Sequence, residues 1–565
     1  MGEESDTNRL SDLTARYWHF QCAEFPLSAI LAGESVPDAV LFREAPADYD
    51  RRHAETCQML EDLADIPVGD LPERERATYR LLRHELEDAR DQHDVLAHHR
   101  PPLLPVGPEF AAVQFANTAA ITNVESAERY VERLASLPAF IRDVGANLKA
   151  GHADGIRYPQ IVLEGAVSTV RGSIAGTVEG LPWNGPFKRS PAAGNEAVRR
   201  LKEQALGLIG DQFLPALRAH ADLLAGPLSE GARSSIACTD GPLGREYYLA
   251  QVRHYTTTDL TAEEIHELGQ IEVARLDGEI EAVVAQAGHP GDVAAFRRFM
   301  ATDPQFIAPS KEALREQAES LAKRIDKRIP AFFGRIPRIT YGVESMTEQQ
   351  SEHMPPAYAQ INPADRSAPG IYWLTGLPAK CPSHMLVPMA LHEGWPGHLM
   401  HLALIQEMED LPAFRRFGAT KYSACLEGWA LYCEGLGVEM GLYQTPHQQY
   451  GRLEMELWRA LRMVVDTGIH WLGWNRAQAV DVMAQRLSLP REAIEAEVNR
   501  YIALPGQALA YQIGNLKIRA LRQRAERRLG DRFDLRAFHD KLMATGPVTL
   551  PLLEDLIEHW LASST

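Results

Sequence analysis

Ala390-Leu391-His392-Glu393-Gly394-Trp395-Pro396-Gly397-His398 is the stretch on which the fold turns. Two imidazoles stand six residues apart, with a carboxylate beside the first. An unbroken helix would rotate by about 600° between them, leaving them roughly 120° apart around its surface and about 9 Å apart along its axis. That geometry cannot chelate one ion. Pro396, however, has no N–H with which to close the helical bond to the His392 carbonyl. Gly397 adds backbone freedom. The helix therefore reads as bulged or locally unwound at 396–397, which swings His398 back toward His392. Bulges of this kind are frequent at functional sites.

Downstream comes Glu427-Gly428-Trp429-Ala430, on a helix read as Lys421 to Met440. The neighbours of Glu427 are strongly apolar, and Glu434 shares its face, so both acids read as buried. A buried carboxylate needs a metal or a partner. Two histidines and a distant glutamate suit a catalytic zinc ion with one position open for water. His392, His398 and Glu427 are thus the candidate metal ligands, and Glu393 the candidate general base. Manganese or iron is not excluded, although this donor set suits zinc best. A rival pair, His398 and His401, would share a helix face without distortion. It would leave Glu393 beside an unligated imidazole with no role.

Most of the remaining sequence reads as amphipathic helix, so the fold class is mainly α. Leu60, Leu63 and Leu71 belong to helical patterns continuing through Tyr79 to Leu82, and 127–148 and 197–224 carry the 3.6-residue rhythm more clearly. Thr261, with Glu264 three residues on, reads as a helix cap. Prolines punctuate 335–383, where Arg338–Tyr341, Ala357–Ile361 and Ile371–Leu374 read as a small β-sheet beside the metal helices. Such a sheet can hold an extended peptide by edge pairing. We divide the chain into an N-terminal helical lobe, 1–250, and a C-terminal catalytic lobe, 251–565, expected to form one structural unit.

Composition narrows the function classes. The 565 residues carry 58 Lys and Arg against 76 Asp and Glu, a net charge of −18, which argues against a nucleic-acid partner. The basic run Lys517 to Arg528 reads as a solvated helix face. Six cysteines with no C-x-x-C pair are not a disulfide framework. The acidic start, Met1-Gly2-Glu3-Glu4-Ser5-Asp6, has no apolar run behind it, and no segment reads as a membrane span. Cytoplasmic localisation is the expectation.

At these residues the chain resembles the bacterial domain-of-unknown-function family DUF885, whose members look like zinc peptidases of the gluzincin type. His-Glu-x-x-Pro-Gly-His is matched by His392 to His398, and Glu-Gly-Trp-Ala-Leu-Tyr-x-Glu by Glu427 to Glu434. Asp-Thr-Gly-Ile-His falls at Asp466 to His470, and a fourth motif at Arg500, Tyr501, Pro505, Gly506, Gln507, Ala508 and Tyr511. The resemblance implies a two-lobed helical body around a deep cleft. It also implies His392, His398 and Glu427 as ligands and Glu393 as catalytic acid/base. One departure is Leu399, where members often carry a second histidine.

Other polar groups complete the expected site. Tyr511, four residues from Gln507, is a candidate oxyanion donor. His470, four from Asp466, is either a catalytic donor or an oriented imidazole. Arg500, Tyr501, Gln507, Arg462 and Tyr372 are candidate substrate-binding residues. Arg459 and Arg462 could hold a substrate carboxylate or neutralise an acid such as Glu456, and Arg500 could pair with Glu497. His353, His384 and His401 read as structural. The expected activity is zinc-dependent hydrolysis of amide bonds in short peptides or peptide-like small molecules, the substrate size resting on the family cleft. The alternatives are an amide hydrolase trimming a biosynthetic precursor, which shares the site, and a non-catalytic metal-binding helical protein, which would not need Glu393.

Overall fold

The computed structural model describes residues 5–36 and 39–564, with backbone alone for His353 and Ser564. Met1 to Glu4 of the acidic start and the His353 side chain lie outside the described residues. The chain is 71% helical with one three-stranded sheet, a mainly α fold. Among the described residues no helix is long and apolar enough to cross a membrane.

The chain divides into two compact units. The first holds the residues up to Leu71, then Leu82–Ala250 and Asn499–Pro505; the second holds Pro72–Leu81, Gln251–Val498 and Gly506–Thr565. The principal boundary is thus between Ala250 and Gln251, and two short segments cross it.

α1 (Pro46–Ala64) lies in the first unit, and α2 (Glu73–Asp94) is a separate helix whose residues up to Leu81 belong to the second. Leu71 lies in the break between them rather than in a continuous pattern, because Pro67 and Pro72 cannot donate helical hydrogen bonds. The 127–148 rhythm sits inside α3 (Val124–Ala153). Asn123 and Ser126 cap it reciprocally, the Ser126 amide donating to Asn123 Oδ1 at 2.8 Å. The 197–224 rhythm is not one regular helix. It widens into π turns at Ile209–Phe213, just before Pro215, and at Leu224–Leu228, which contains Pro227. Each proline removes a helical donor, and the ladder slips by one residue there.

The second unit opens on α4 (Ala262–Gln286), started by the expected Thr261–Glu264 capping box. The sheet follows: β1 (Tyr341–Ser345), β2 (Ala357–Gln360) and β3 (Gly370–Leu374), in the order β1-β3-β2. β1 runs parallel to β3, with Val343 opposite Tyr372. β2 runs antiparallel to β3, with Ala359 opposite Tyr372. β1 begins three residues later than Arg338, since the chain is still bending after Pro337. On β3, Gly370, Tyr372 and Leu374 are buried, while Ile371 and Trp373 are half-exposed, the alternation a strand imposes.

Then come α5 (Ser383–Glu393), α6 (His398–Gln406), α7 (Ser423–Leu436), α8 (Pro446–His470) and α9 (Ala510–Leu529). α7 is shorter than the expected Lys421–Met440, because Ala419–Lys421 forms its own 3-10 turn. α8 is the spine of the unit, almost wholly buried from Leu453 onward. Glycines let its neighbours approach. A Cβ on Gly269 of α4 would lie 2.9 Å from the Met463 and Val464 side chains, and one on Gly451 of α8 would strike the His384 carbonyl of α5. The tightest approach joins α7 and α9. A Cβ on Gly428 would overlap the Gly514 backbone, and one on Gly514 would overlap the Ala424 carbonyl. Side-chain-free contacts of this sort fix helix spacing closely, because packed interiors leave no slack.

Candidate metal centre

The segment after Glu393 is not a bulge inside one helix, as the proline–glycine step predicts, but a full break. α5 ends at Glu393, residues 394–397 form a turn, and α6 begins at His398. Two glycines make the turn possible. A Cβ on Gly397 would collide with the His392 carbonyl oxygen, and one on Gly394 would come 2.6 Å from the Ala390 carbonyl. The outcome for the histidines is the one the motif requires. His392 and His398 face each other, ring centroids 4.8 Å apart and planes at 89°.

Glu427 of α7 completes the group. Its Oε2 lies 3.3 Å from His392 Nε2 and 3.4 Å from His398 Nε2. One ligand atom from each of the three residues falls within 4.8 Å of the others. These residues fit a tetrahedral ion on two counts. Zinc–nitrogen and zinc–oxygen bonds of about 2.0–2.1 Å span a tetrahedron edge of about 3.3–3.4 Å, the spacing found. No hydrogen bond of good geometry reaches the buried Glu427 Oε2 from any described residue, and a buried carboxylate oxygen without a donor wants a cation. His401, the rival ligand, is instead packed against Trp429 with ring centroids 5.8 Å apart. Burial holds its imidazole down at about 3, and it is not part of the convergent group.

Glu434, two turns beyond Glu427, is a residue that spacing alone left without a role. It is 1% exposed and its Oε1 lies 2.8 Å from His392 Nδ1. A carboxylate on the far nitrogen turns the imidazole and leaves Nε2 as the ligating atom. Arg459 of α8 balances that charge, with its guanidinium 3.4 Å from Glu434 Oε1. Arg459 therefore serves Glu434, while Glu456, the acid expected for it, pairs with Arg275, Arg452 and Arg519.

The electrostatics follow from this crowding. Burial opposes charge on His392, but Glu427 and Glu434 outweigh it and lift the imidazole to about 9. Burial also opposes charge on Glu427, yet the two histidines hold it well below the usual carboxylate range. An incoming cation must displace the His392 proton, so binding releases a proton and weakens in acid. Glu393 is pushed up, first by burial and then by Glu427, against the pull of His392, His398 and Arg459.

The turn carrying His398 is anchored from α7. Trp429 Nε1 donates to the Pro396 carbonyl at 2.9 Å, in a buried setting. Trp429→Phe keeps an aromatic side chain, though a smaller one, and loses this bond, stranding a buried carbonyl at a cost of about 1–3 kcal/mol. Metal affinity, read by chelator competition, is expected to fall by about 10–100-fold. An affinity equal to the wild type would show that the turn holds itself.

The remaining candidates are distributed as follows. Tyr372 is fully buried, and its hydroxyl has no hydrogen-bond partner among the described residues. Its phenol is raised well above its ordinary value by burial, with Cys381 and then Glu393 adding to the effect, so it lies near the candidate base. Gln507 Nε2 donates to the Tyr511 hydroxyl at 3.4 Å. The Arg462 guanidinium lies 4.5 Å from the Tyr511 ring centroid and 3.2 Å from Glu497. Glu497 thus pairs with Arg462, a partnership the sequence had suggested for Arg500. Asp466 accepts the Gly506 amide, at 3.1 Å to one oxygen and 3.2 Å to the other. His470 is 0% exposed at the end of α8. Arg500 and Tyr501 fall in the 499–505 segment that belongs to the first unit, with Tyr501 buried and the Arg500 guanidinium 5.2 Å from its ring.

Comparison with known proteins adds a family. No functionally curated protein matches the chain. A crystal structure from Colwellia psychrerythraea, described as a "putative lipoprotein", is similar at a TM-score of 0.93 and 27% identity, covering 99% of this chain and 100% of that one. A second, from Shewanella oneidensis and described as a lipoprotein of unknown function in the same terms, has a TM-score of 0.74 at 18% identity, covering 97% and 99%; it shares the fold. The family described as "Bacterial protein of unknown function (DUF885)" matches residues 26–557 of the chain, and the chain belongs to that family.

Proposed function

We propose that this protein is a zinc-dependent hydrolase that cleaves amide bonds of short peptides or peptide-like small molecules. One observation carries the reading: two imidazole nitrogens and a donor-starved carboxylate oxygen converge at tetrahedral spacing, with the half-buried Glu393 next in the chain to the first imidazole. His392, His398 and Glu427 would hold the ion. When bound, zinc supplies Lewis acidity, polarising a carbonyl and lowering the pKa of a water toward about 7.

The chain's own residues do the rest. Glu434 and Arg459 keep His392 oriented. Glu393, made more basic by its buried setting, takes a proton from the attacking water and returns it to the leaving amine. Tyr511 is the oxyanion donor in this scheme. Its hydroxyl accepts from Gln507 and its own O–H remains free to donate. His470, completely buried, is a positioning group. Arg462 and Tyr372 remain candidates for substrate contact, Arg462 sharing its charge with Glu497. Cytoplasmic localisation remains part of this reading.

The test combines elemental analysis of the purified protein with a mass-spectrometric screen of dipeptides, tripeptides and their N-acyl and C-amide derivatives. Chelation is expected to abolish hydrolysis and Zn2+ to restore it. Full zinc loading with no cleavage across the panel would sink the hydrolase reading and favour a metal-binding protein.

A further inference from the structure

In the first unit four aromatic rings stack into a column, and three of them are imidazoles. From end to end they are Tyr49, His98, His93 and His53, with centroids 4.8, 5.0 and 3.9 Å apart and planes tilted by 24°, 19° and 16°. Tyr49 and His53 stand one turn apart on α1, His93 is in the last turn of α2, and His98 lies in the 3-10 turn Ala97–His99 that follows. The column therefore links α1 to the chain leaving α2. α3 backs the turn. A Cβ on its Gly151 would strike the His99 carbonyl, and His99 Nδ1 lies 2.8 Å from Oδ2 of Asp154, just past the helix end. The three imidazoles are half-buried, so protons reach them from solvent.

Charged groups face the column from each element around it. At one end the Tyr49 hydroxyl donates to Glu44 Oε2, and the Arg52 guanidinium lies 4.3 Å from the Tyr49 ring centroid. Asp143 of α3 acts on Glu44. In the middle, Asp50 Oδ1 is 3.8 Å from His93 Nε2, and Asp94 follows His93 in the chain. At the other end Cys57 Sγ is 3.7 Å from His53 Nε2. Beside the turn, Arg100 donates to the Val95 carbonyl at 2.8 Å, and the His99 ring stands 4.4 Å from that of His98. One proton in the column is tolerated, since a cation over a neutral ring is attracted to it and Asp50 sits beside the middle imidazole. Protons on adjacent rings are not, because like charges would then face each other about 4 Å apart in a half-buried setting.

We propose that this column is an acid-operated latch: with its rings uncharged it clamps α1 to the turn after α2, and protons on adjacent rings release that corner of the first unit. The sign follows from where the protons bind more easily. Burial, then His99 and His93, push His98 down to about 4. His93 is lowered by burial and then by His53, against the pull of Asp94 and Asp50. Both imidazoles take up a proton more readily once the corner has opened. The clamp is therefore at full strength above the ordinary imidazole range, near 6.5, and weakens as pH falls from there to about 4.

The experiment is hydrogen–deuterium exchange of the full chain, read by mass spectrometry at about pH 7 and about pH 4.5 and corrected for the intrinsic pH dependence of amide exchange. In the wild type, protection of segments 46–64 and 90–100 is expected to fall by about 10–100-fold between the two, the size that the depression of His98 converts to. H93F/H98F keeps four stacked rings with a single imidazole among them, and is expected to hold its protection at both pH values. No local loss in the wild type, or an equal loss in H93F/H98F, overturns the proposal. If H93F/H98F does not fold, as judged by circular dichroism, NMR titration of the histidine-labelled wild type decides instead. His93 and His98 are expected to titrate below the ordinary imidazole range; ordinary titration of both overturns the proposal.

Discussion

Glu393→Gln is expected to leave zinc content at the wild-type level and to lower turnover by about 10²–10⁴-fold. The amide has the shape of the carboxylate and none of its basicity. His392 and His398 lie on either side of the turn that follows Glu393, and neither depends on its charge to find Glu427. Metal and activity should therefore separate. Elemental analysis with a single-turnover assay on the best substrate of the screen measures both. A variant with zinc and undiminished rate would remove Glu393 from the chemistry. A variant that has lost both would mean that the carboxylate belongs to the ion's surroundings and not to the proton transfer.

Arg459→Leu is expected to be the most damaging single change to the scaffold of the centre. Glu434 is 1% exposed and Arg459 is 6% exposed, so the substitution takes from a buried carboxylate its guanidinium partner and leaves only His392 Nδ1 beside it. Losing one partner of a buried pair costs about 3–5 kcal/mol. Removing both, in Arg459→Leu with Glu434→Leu, should recover part of that loss, since no charge is then left without its counterpart. Urea denaturation of the two variants measures the difference. The double variant should nevertheless bind zinc more weakly than the wild type, because His392 Nδ1 has lost the acceptor that turns the ring. Equal stability of the single and double variants would show that the ion pair contributes no coupling.

The sequence carried the centre further than it carried its supports. His392, His398 and Glu427 were legible because each is a ligand type, and because a proline–glycine step stands where an unbroken helix would have kept them apart. The form of the break was not. Proline and glycine say that the ladder fails, while the collision a side chain at Gly397 would make with the His392 carbonyl decides that two helices form. Glu434 was visible as an acid in an apolar helix, which shows burial without naming the partner. Arg459 and Arg462 were visible as cations, and their acids, Glu434 and Glu497, come from other helices that only the packing brings near. Arg500 and Tyr501 look continuous with Gln507 and Tyr511 along the chain, yet the 499–505 segment packs with the first unit. Periodicity located α3 well and misjudged 197–224, where two prolines widen the ladder.

The glycine-to-glycine seam between α7 and α9 has a consequence for how the centre comes into being. The third ligand sits next to Gly428, and the partner against which Gly428 is seated is Gly514. The pre-formed cage therefore cannot exist on a nascent chain until the ribosome has passed that far-downstream residue. A bound ion would accordingly arrive late in biogenesis, and a cut that removes the Gly514 backbone is expected to abolish loading while leaving His392, His398 and Glu427 in place.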